Sequence, residues 1–220
     1  MSDISQGVVS TTAADDAAFE QHCQEDAFWT GGKLLLGAAT FAFASIGFAY
    51  FYLRSYNVAN LWRPDRVTAP TGVGLAIVGT VVAAAVVYAA GVRRFRHGLT
   101  TDWQVSGWIT VLLGIVAVIL QVWEFTRLPF APGSSGYAST WVGWAVLNAT
   151  FLLGTVYWSE TLLARSIRLR RALAEDGGAA QSNMAPARLF RASVDGSYSM
   201  WWFIAAVNVI FWLLFYVFGR

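Results

Sequence analysis

The stretch VTAPTGVGLAIVGTVVAAAVVYAAGV, residues 67–92, carries no charged side chain. A membrane-spanning helix needs about 20 predominantly apolar residues, so this stretch predicts a transmembrane helix. Four further uncharged stretches of similar length lie at residues 34–53, 103–123, 128–159 and 196–219. The sequence therefore predicts an all-α integral membrane bundle of five transmembrane helices, with approximate spans at 32–54, 69–92, 103–126, 137–164 and 198–218.

The composition agrees with a membrane protein. Of the 220 residues, 56% are hydrophobic and 13% are charged, whereas a soluble domain has about 25% charged residues. The net charge of +2 gives no support for a nucleic-acid partner, because such binding depends on neutralising phosphates. Residues 1–30 are polar and acidic and lack the basic start and apolar run of a secretory signal. We expect them to form a cytoplasmic tail before one five-helix transmembrane domain, residues 31–220.

The arginines indicate the orientation of the bundle, because Lys and Arg are in excess on the cytoplasmic side of a membrane. An inner N-terminus places nine arginines in the two inner loops and five in the outer segments. The sequence therefore predicts the N-terminus inside and the C-terminus outside. The longer inner loop is predicted at Arg165–Asp195, with a flexible run at 176–180. This loop and the acidic tail are candidate contacts for other subunits or for anionic lipid heads.

Few ionisable side chains lie near the predicted membrane, and these and two mid-span asparagines have structural interpretations. Asn148 and Asn208 are expected to hydrogen-bond across helices, at about 0.6–2 kcal/mol per bond. Glu124 has two interpretations: an interfacial carboxylate paired with Arg127, or a polar contact, with Gln121, to a neighbouring helix or subunit. At the other end of the bundle, an interfacial pair is expected between Glu160 and Arg165.

Small and aromatic residues are expected to serve packing and membrane anchoring. Four pairs of small residues lie four apart, which lets helices approach closely: Ala38 and Ala42, Ser45 and Ala49, Gly79 and Ala83, Ala145 and Ala149. Seven tryptophans fall near predicted interfaces, where indole rings are enriched: Trp62, Trp103, Trp123, Trp141, Trp158, Trp201 and Trp202. Trp108, Trp144 and Trp212 lie deeper and are expected to pack between helices or on lipid.

The sequence contains no recognisable catalytic or metal-binding motif. His22 and His97 each lack a second ligand at metal-binding spacing, and Cys23 is the single cysteine. There is no Gly-rich phosphate loop, nucleophile elbow or paired-carboxylate pattern. Because the spans contain no histidine, we expect no haem or copper ligand in this chain, and no catalytic, cofactor-binding or metal-binding residue is predicted.

Three segments, read together, resemble a known family. Gly32–Leu36 (GKLLL) followed by Ala49–Arg54 (AYFYLR) resembles the first helix of the short, five-helix bacterial form of haem-copper oxidase subunit III. Leu113 and Gly114 followed by Leu120–Phe125 (LQVWEF) is similar to that family's Leu-Gly…Gln-x-x-Glu-aromatic pattern. The final segment, Trp201–Tyr216, looks like its aromatic last helix.

The chain also departs from the family pattern. Residues 38–41 (AATF) stand where the family has a buried glutamate in a Ser-Glu-x-Met-like run, and residues 146–151 (VLNATF) replace a Gly-Phe-His-Gly-x-His run. Trp202 and Ala205 stand where the last helix usually carries His and Asp. The resemblance therefore implies a divergent member that keeps the family scaffold without most of its polar core.

The resemblance implies a non-catalytic subunit of a proton-translocating cytochrome c oxidase in the bacterial cell membrane. Its implied partners are oxidase subunits I and II, which would hold the haem and copper, together with membrane phospholipids and a respiratory supercomplex. The candidate subunit or lipid contacts are Tyr52, Arg54, Gln121, Glu124, Trp201 and Trp202. Two alternatives stay open: a subunit III relative in a quinol oxidase or nitric oxide reductase, and a small membrane transporter. The transporter has less support, because the sequence lacks inverted repeats and a polar midplane.

Overall fold

The computed structural model describes residues 3–57, 61–63, 67–175 and 184–218, and it describes side chains chiefly within 30–168 and 190–218. The described residues form five α-helices and one π turn. These are α1 (Asp3–Ser55), α2 (Thr71–Arg96), α3 (Thr100–Thr126), α4 (Gly136–Glu175), α5 (Met184–Trp212) and the π turn (Leu213–Val217). The prediction of an all-helical bundle is confirmed.

Four of the five helices contain a segment that is long and apolar enough to cross a membrane, which indicates a multi-pass membrane protein. These segments are Thr30–Ser55, Thr71–Arg96, Thr100–Thr126 and Phe190–Val217. Helix α4 is long, at 40 residues, but it carries more polar side chains along the predicted span 137–164. That fifth span stays a prediction.

Three helices extend beyond their predicted spans. Helix α1 begins at Asp3, so the polar residues 3–30 continue the same helix as the first apolar segment. Helices α4 and α5 run to Glu175 and from Met184, so most of the loop predicted at 165–195 is helical. The charged residues after position 165 were interpreted as the end of the fourth helix. However, Arg, Glu, Leu and Ala are good helix formers in water as well. The flexible run predicted at 176–180 lies outside the described residues.

Helices α2 and α3 form the hairpin that the short basic link predicts. Gly98, at a φ of 85°, reverses the chain between them, and their contact is the most extensive between any two of the described helices. The close approach depends on Gly91, where a Cβ would lie 2.6 Å from the Cβ of Ser106. We call the end of the bundle that holds this turn (residues 93–98) the basic end.

The glycines that permit close packing differ from the small-residue pairs noted in the sequence. Gly107 faces Leu163, and Gly114 faces Val156 and the Trp201 ring, with no room for a Cβ at either position. By contrast, an added Cβ at Gly79 would meet nothing within 4 Å. Spacing identifies a flat helix surface, but only the tertiary packing decides which flat surface meets a neighbour.

Several tryptophans that were predicted to anchor in the interface are buried in the bundle. Trp103, Trp141 and Trp201 are fully buried, and Trp62 is 7% exposed. Their rings pack on other aromatic rings, such as Trp62 against Tyr50, with centroids 5.1 Å apart. The belt prediction was therefore wrong for these four, because depth in a membrane does not say whether a side chain faces lipid or protein.

Candidate functional site

Helices α3, α4 and α5, with the π turn that follows α5, bring six side chains into one polar cluster near the end of the bundle opposite the basic end. We call this the buried polar cluster. All six side chains are fully buried within the chain: Gln121, Glu124, Trp141, Asn148, Asn208 and Tyr216. Each is hydrogen-bonded to at least one other member. A buried polar group stays stable in an apolar environment only when it has such partners.

Glu124 accepts two hydrogen bonds from neutral donors. The Gln121 amide donates to one carboxyl oxygen from 3.0 Å, and the Tyr216 hydroxyl donates to the other. Trp141 Nε1 donates in turn to the Tyr216 hydroxyl, at 3.1 Å. Among the described residues, Glu124 is the one fully buried side chain of the acidic or basic type. The cluster therefore holds a carboxyl group between three helices by hydrogen bonds alone.

The pairing of Glu124 with Arg127 that the spacing suggested is not present. The Arg127 guanidinium instead lies over the Trp123 ring, 5.4 Å from its centroid. The other interpretation agrees with the structure, because Glu124 accepts from Tyr216 and its partner Gln121 accepts from Asn148 of α4. Tyr216 lies 92 positions away in the chain, so no local pattern could identify it.

Two asparagines continue the cluster toward the middle of the bundle. Asn148 and Asn208 exchange amide hydrogen bonds across α4 and α5, at 3.1 and 2.8 Å. Asn148 also donates to Gln121 Oε1 at 3.1 Å, which joins the asparagine pair to the Glu124 site. The predicted hydrogen bonds across helices are confirmed at both positions.

The π turn at the end of α5 shapes the cluster and its surroundings. In this turn the Phe218 amide donates to the Leu213 carbonyl, at 2.8 Å, five residues back. Tyrosines from two other helices donate to carbonyls of the turn: Tyr50 to Leu214 at 2.8 Å and Tyr137 to Phe215 at 3.2 Å. Single π turns inside α-helices are frequent at functional sites.

A second set of buried hydrogen bonds, which the sequence analysis missed, joins the helices nearer the basic end. Trp201 Nε1 donates to Ser159 Oγ at 2.9 Å, and Ser159 lies 3.3 Å from Ser197 Oγ. Gln104 donates to Ser166 Oγ at 3.0 Å. Serine carries little sequence signal inside a helix, because it bonds equally well to its own backbone.

The six predicted contact residues divide into two groups. Gln121, Glu124 and Trp201 are fully buried inside this chain, so their contacts are with its own helices. Tyr52 and Trp202 expose 54% and 42% of their surfaces. Arg54 is exposed and donates to the Tyr50 hydroxyl at 2.9 Å. The second group is therefore the one that can meet lipid or another subunit.

The expected pair between Glu160 and Arg165 does not form, and both side chains are exposed. In the described part of the chain, the ion pairs join Arg94 to Asp102 and Arg96 to Asp195, each at 2.8 Å. Five residues separate Glu160 from Arg165, and helical neighbours are three or four apart. The spacing therefore turns these two side chains away from each other.

A wide apolar cavity opens between α1, α4 and α5 toward the basic end. Its volume is about 670 Å³, and Leu36, Tyr157, Trp158 and Gly196 contribute to its walls. Lys33 lies at its edge. An apolar groove on a membrane bundle, with a cation at one end, has the chemistry to hold a phospholipid chain and head group. We call this cavity the lipid groove.

Among the described residues, no group of three or more His, Cys, Asp and Glu side chains lies close enough to hold a metal ion. The buried polar cluster offers hydrogen bonds and one carboxyl group, but no nucleophile paired with a base. No protein-family model matches the chain, and no curated protein matches it.

Proposed function

We propose that this chain is a non-catalytic subunit of a respiratory terminal oxidase, of the subunit III type. It would stabilise the catalytic subunit and bind lipid, with cytochrome c as the electron donor to the complex. In this proposal α4 is the fifth membrane span, the N-terminus is inside and the C-terminus is outside. The location would be the bacterial cell membrane, and the haem and copper would lie in partner subunits.

The proposal is supported by the way in which the three family-like segments meet. Tyr50, from Ala49–Arg54, packs edge-on against Phe215, with ring centroids 5.3 Å apart. Glu124, from Leu120–Phe125, accepts the hydrogen bond of Tyr216. Phe215 and Tyr216 end the third segment. Residues that carry a resemblance in three separate parts of the sequence thus converge on one π turn, as expected if the segments were retained together for one fold.

The exposed surfaces suit a subunit that binds its partners laterally in the membrane. In α1, Phe41 and Phe48 expose 80% and 71% of their surfaces. In α3, Leu112 and Ile119 expose 61% and 60%. We expect the catalytic subunit to cover one of these apolar faces, with lipid on the other. Tyr52, Arg54 and Trp202 would contribute at the edges of such contacts.

The lipid groove gives the proposed subunit a second role. Structural lipids held there would fill the space between α1 and the other helices. Oxygen partitions into apolar phases, so a lipid-filled groove would also favour its entry toward a catalytic partner. Both statements follow from the proposed family.

The first test is purification in mild detergent through a tag on the N-terminus, followed by a reduced-minus-oxidised spectrum. Haem bands and a co-purifying, histidine-rich, many-span protein are expected. The matched control is the same purification from cells that carry the untagged chain. A colourless chain obtained from cells whose oxidase is intact would contradict the proposal and favour a transporter.

The contact surface is tested separately by photo-crosslinking. A photoreactive amino acid replaces Phe48 in α1 or Leu112 in α3, and the control position is the buried Leu152. A crosslink to the catalytic subunit is expected from one of the two faces. Turnover with cytochrome c and with a quinol then identifies the donor, and activity with the quinol alone would favour the quinol oxidase alternative.

A further inference from the structure

A second cavity lies at the basic end, between the end of α2 and α5. Its volume is about 640 Å³. The apolar part of its lining is formed by Ala89, Ala90 and Val92, and the polar part by Arg93, Arg94, Arg96, His97 and Tyr198. It is lined by residues entirely different from those of the lipid groove. We call it the basic cavity.

The charged side chains around this cavity leave an excess of positive charge. Arg94 is paired with Asp102, and Arg96 with Asp195. Arg93 makes no hydrogen bond or ion pair with any residue that the structure describes, and it is exposed. On α5, Arg191 lines a small adjoining space with Arg96 and Asp195. Among the described residues around the basic cavity, four arginines therefore accompany two aspartates.

Three basic residues at the end of α2 lie on one face of the helix. Arg93, Arg96 and His97 are spaced by three and four residues, which places them on the same face of a helix. The Arg96 guanidinium lies over the Tyr198 ring, 5.9 Å from its centroid, and its pair with Asp195 holds it in place at 2.8 Å. Basic side chains in the last turn of a helix also stabilise its dipole. That role accounts for the arginines, but it does not account for the open cavity beside them.

We propose that the basic cavity binds the phosphate head group of an anionic phospholipid. Arg93 supplies the main charge, His97 and Tyr198 can donate hydrogen bonds, and the alanine side of the cavity receives the first carbons of the acyl chains. Basic pockets between membrane helices are known to suit such head groups. The apolar wall favours a lipid over a free phosphate ion, because an ion gains nothing from contact with Ala89 and Ala90.

This inference does not depend on the oxidase proposal, because it uses residues of this chain alone. The test uses the full chain purified in mild detergent, stripped of lipid, and titrated while native mass spectrometry measures the bound fraction. The probes are dioctanoyl phosphatidylglycerol, dioctanoyl phosphatidylcholine and inorganic phosphate. Phosphatidylglycerol is expected to bind at least ten-fold more tightly than either of the other two.

Three variants then locate the site. A cationic side chain near a membrane surface contributes about five-fold to binding of an anionic lipid, so Arg93→Gln should weaken binding of phosphatidylglycerol by about five-fold. Asp195→Asn should strengthen it by a similar factor, because a competing negative charge is removed. Arg127→Gln is the matched control: this arginine is exposed at the end of α3 opposite the basic end, outside the basic cavity, and should change affinity by less than two-fold.

The expected gain of affinity in Asp195→Asn distinguishes a specific effect from misfolding, since a misfolded variant would lose binding. Circular dichroism checks the helix content of each variant. Equal affinity for phosphatidylglycerol and inorganic phosphate would overturn the choice of a lipid. An Arg93→Gln variant that binds like Arg127→Gln, or weaker binding by a folded Asp195→Asn variant, would overturn the site.

Discussion

Replacing Tyr216 with Phe tests whether the buried polar cluster stabilises the bundle. The change keeps the ring and removes one hydroxyl group, which donates to Glu124 and accepts from Trp141 Nε1 at 3.1 Å. Glu124 would keep only the Gln121 donor, and the Trp141 indole N–H would lose its partner. Both groups are fully buried, so water cannot replace the lost bonds.

The size of the effect follows from these two bonds. A hydrogen bond between membrane helices is worth about 0.6–2 kcal/mol, and leaving a buried donor unpaired costs about 1–3 kcal/mol. The free energy of unfolding should therefore fall by about 2–4 kcal/mol in Tyr216→Phe. The assay is reversible unfolding by titration with sodium dodecyl sulfate in mixed micelles, followed by tryptophan fluorescence and circular dichroism.

The matched control is Tyr157→Phe in α4. Tyr157 is 71% exposed, and its hydroxyl makes no hydrogen bond within the described residues, so the same chemical change should alter stability by less than about 0.5 kcal/mol. A double-mutant cycle with Glu124→Met should then give a coupling of about 1 kcal/mol or more. If Tyr216→Phe were as stable as Tyr157→Phe, the cluster would not hold the helices together.

Three further predictions use the same assay. Gly114→Val should destabilise the bundle by about 1–3 kcal/mol, because a Cβ there meets Val156 and Trp201. The control Gly79→Val, at an open position, should be nearly neutral. Equal effects of the two variants would refute the packing argument. Asn148→Leu and Asn208→Leu should each cost about 1–2 kcal/mol. The double variant should cost less than the sum, because either single change already removes both hydrogen bonds of the reciprocal pair. Strict additivity would argue against that pair. Asp195→Asn should cost less than about 1 kcal/mol, since its side chain is 44% exposed, and a larger loss would mean that its ion pair is shielded from water.

The sequence predicted the features that depend on composition over a long window. Five helices, the hairpin of α2 and α3 and the mid-span asparagine bonds follow from apolar length, the short link at residues 93–98 and the cost of an unpaired amide in a membrane. Helix ends were predicted poorly, as at Asp3 and Glu175, because a charge marks the edge of a membrane without ending the helix. Apolarity and helix formation are separate properties of a sequence.

The partners of buried polar groups could not be predicted. Glu124 had a plausible neighbour in Arg127, three positions on, whereas its contact in the folded chain is Tyr216. The same holds for Trp201, which resembles an interfacial anchor in sequence but donates to Ser159 inside the bundle. A single sequence shows how deep a side chain lies along a span, and the direction it faces depends on helices far away in the chain.

The π turn at 213–217 makes the chain sensitive to length as well as to side-chain identity. Each residue of an α-helix turns the following residues by about 100°, and a π turn accommodates one residue more per turn than an α turn. Inserting one residue between Asn208 and Leu213 would therefore rotate the π turn by about 100°, so that Tyr216 could no longer reach Glu124 while Asn208 still meets Asn148. Insertions should be absent from this interval in functional variants of the chain, whereas a deletion within the turn can be absorbed when the π turn becomes an α turn.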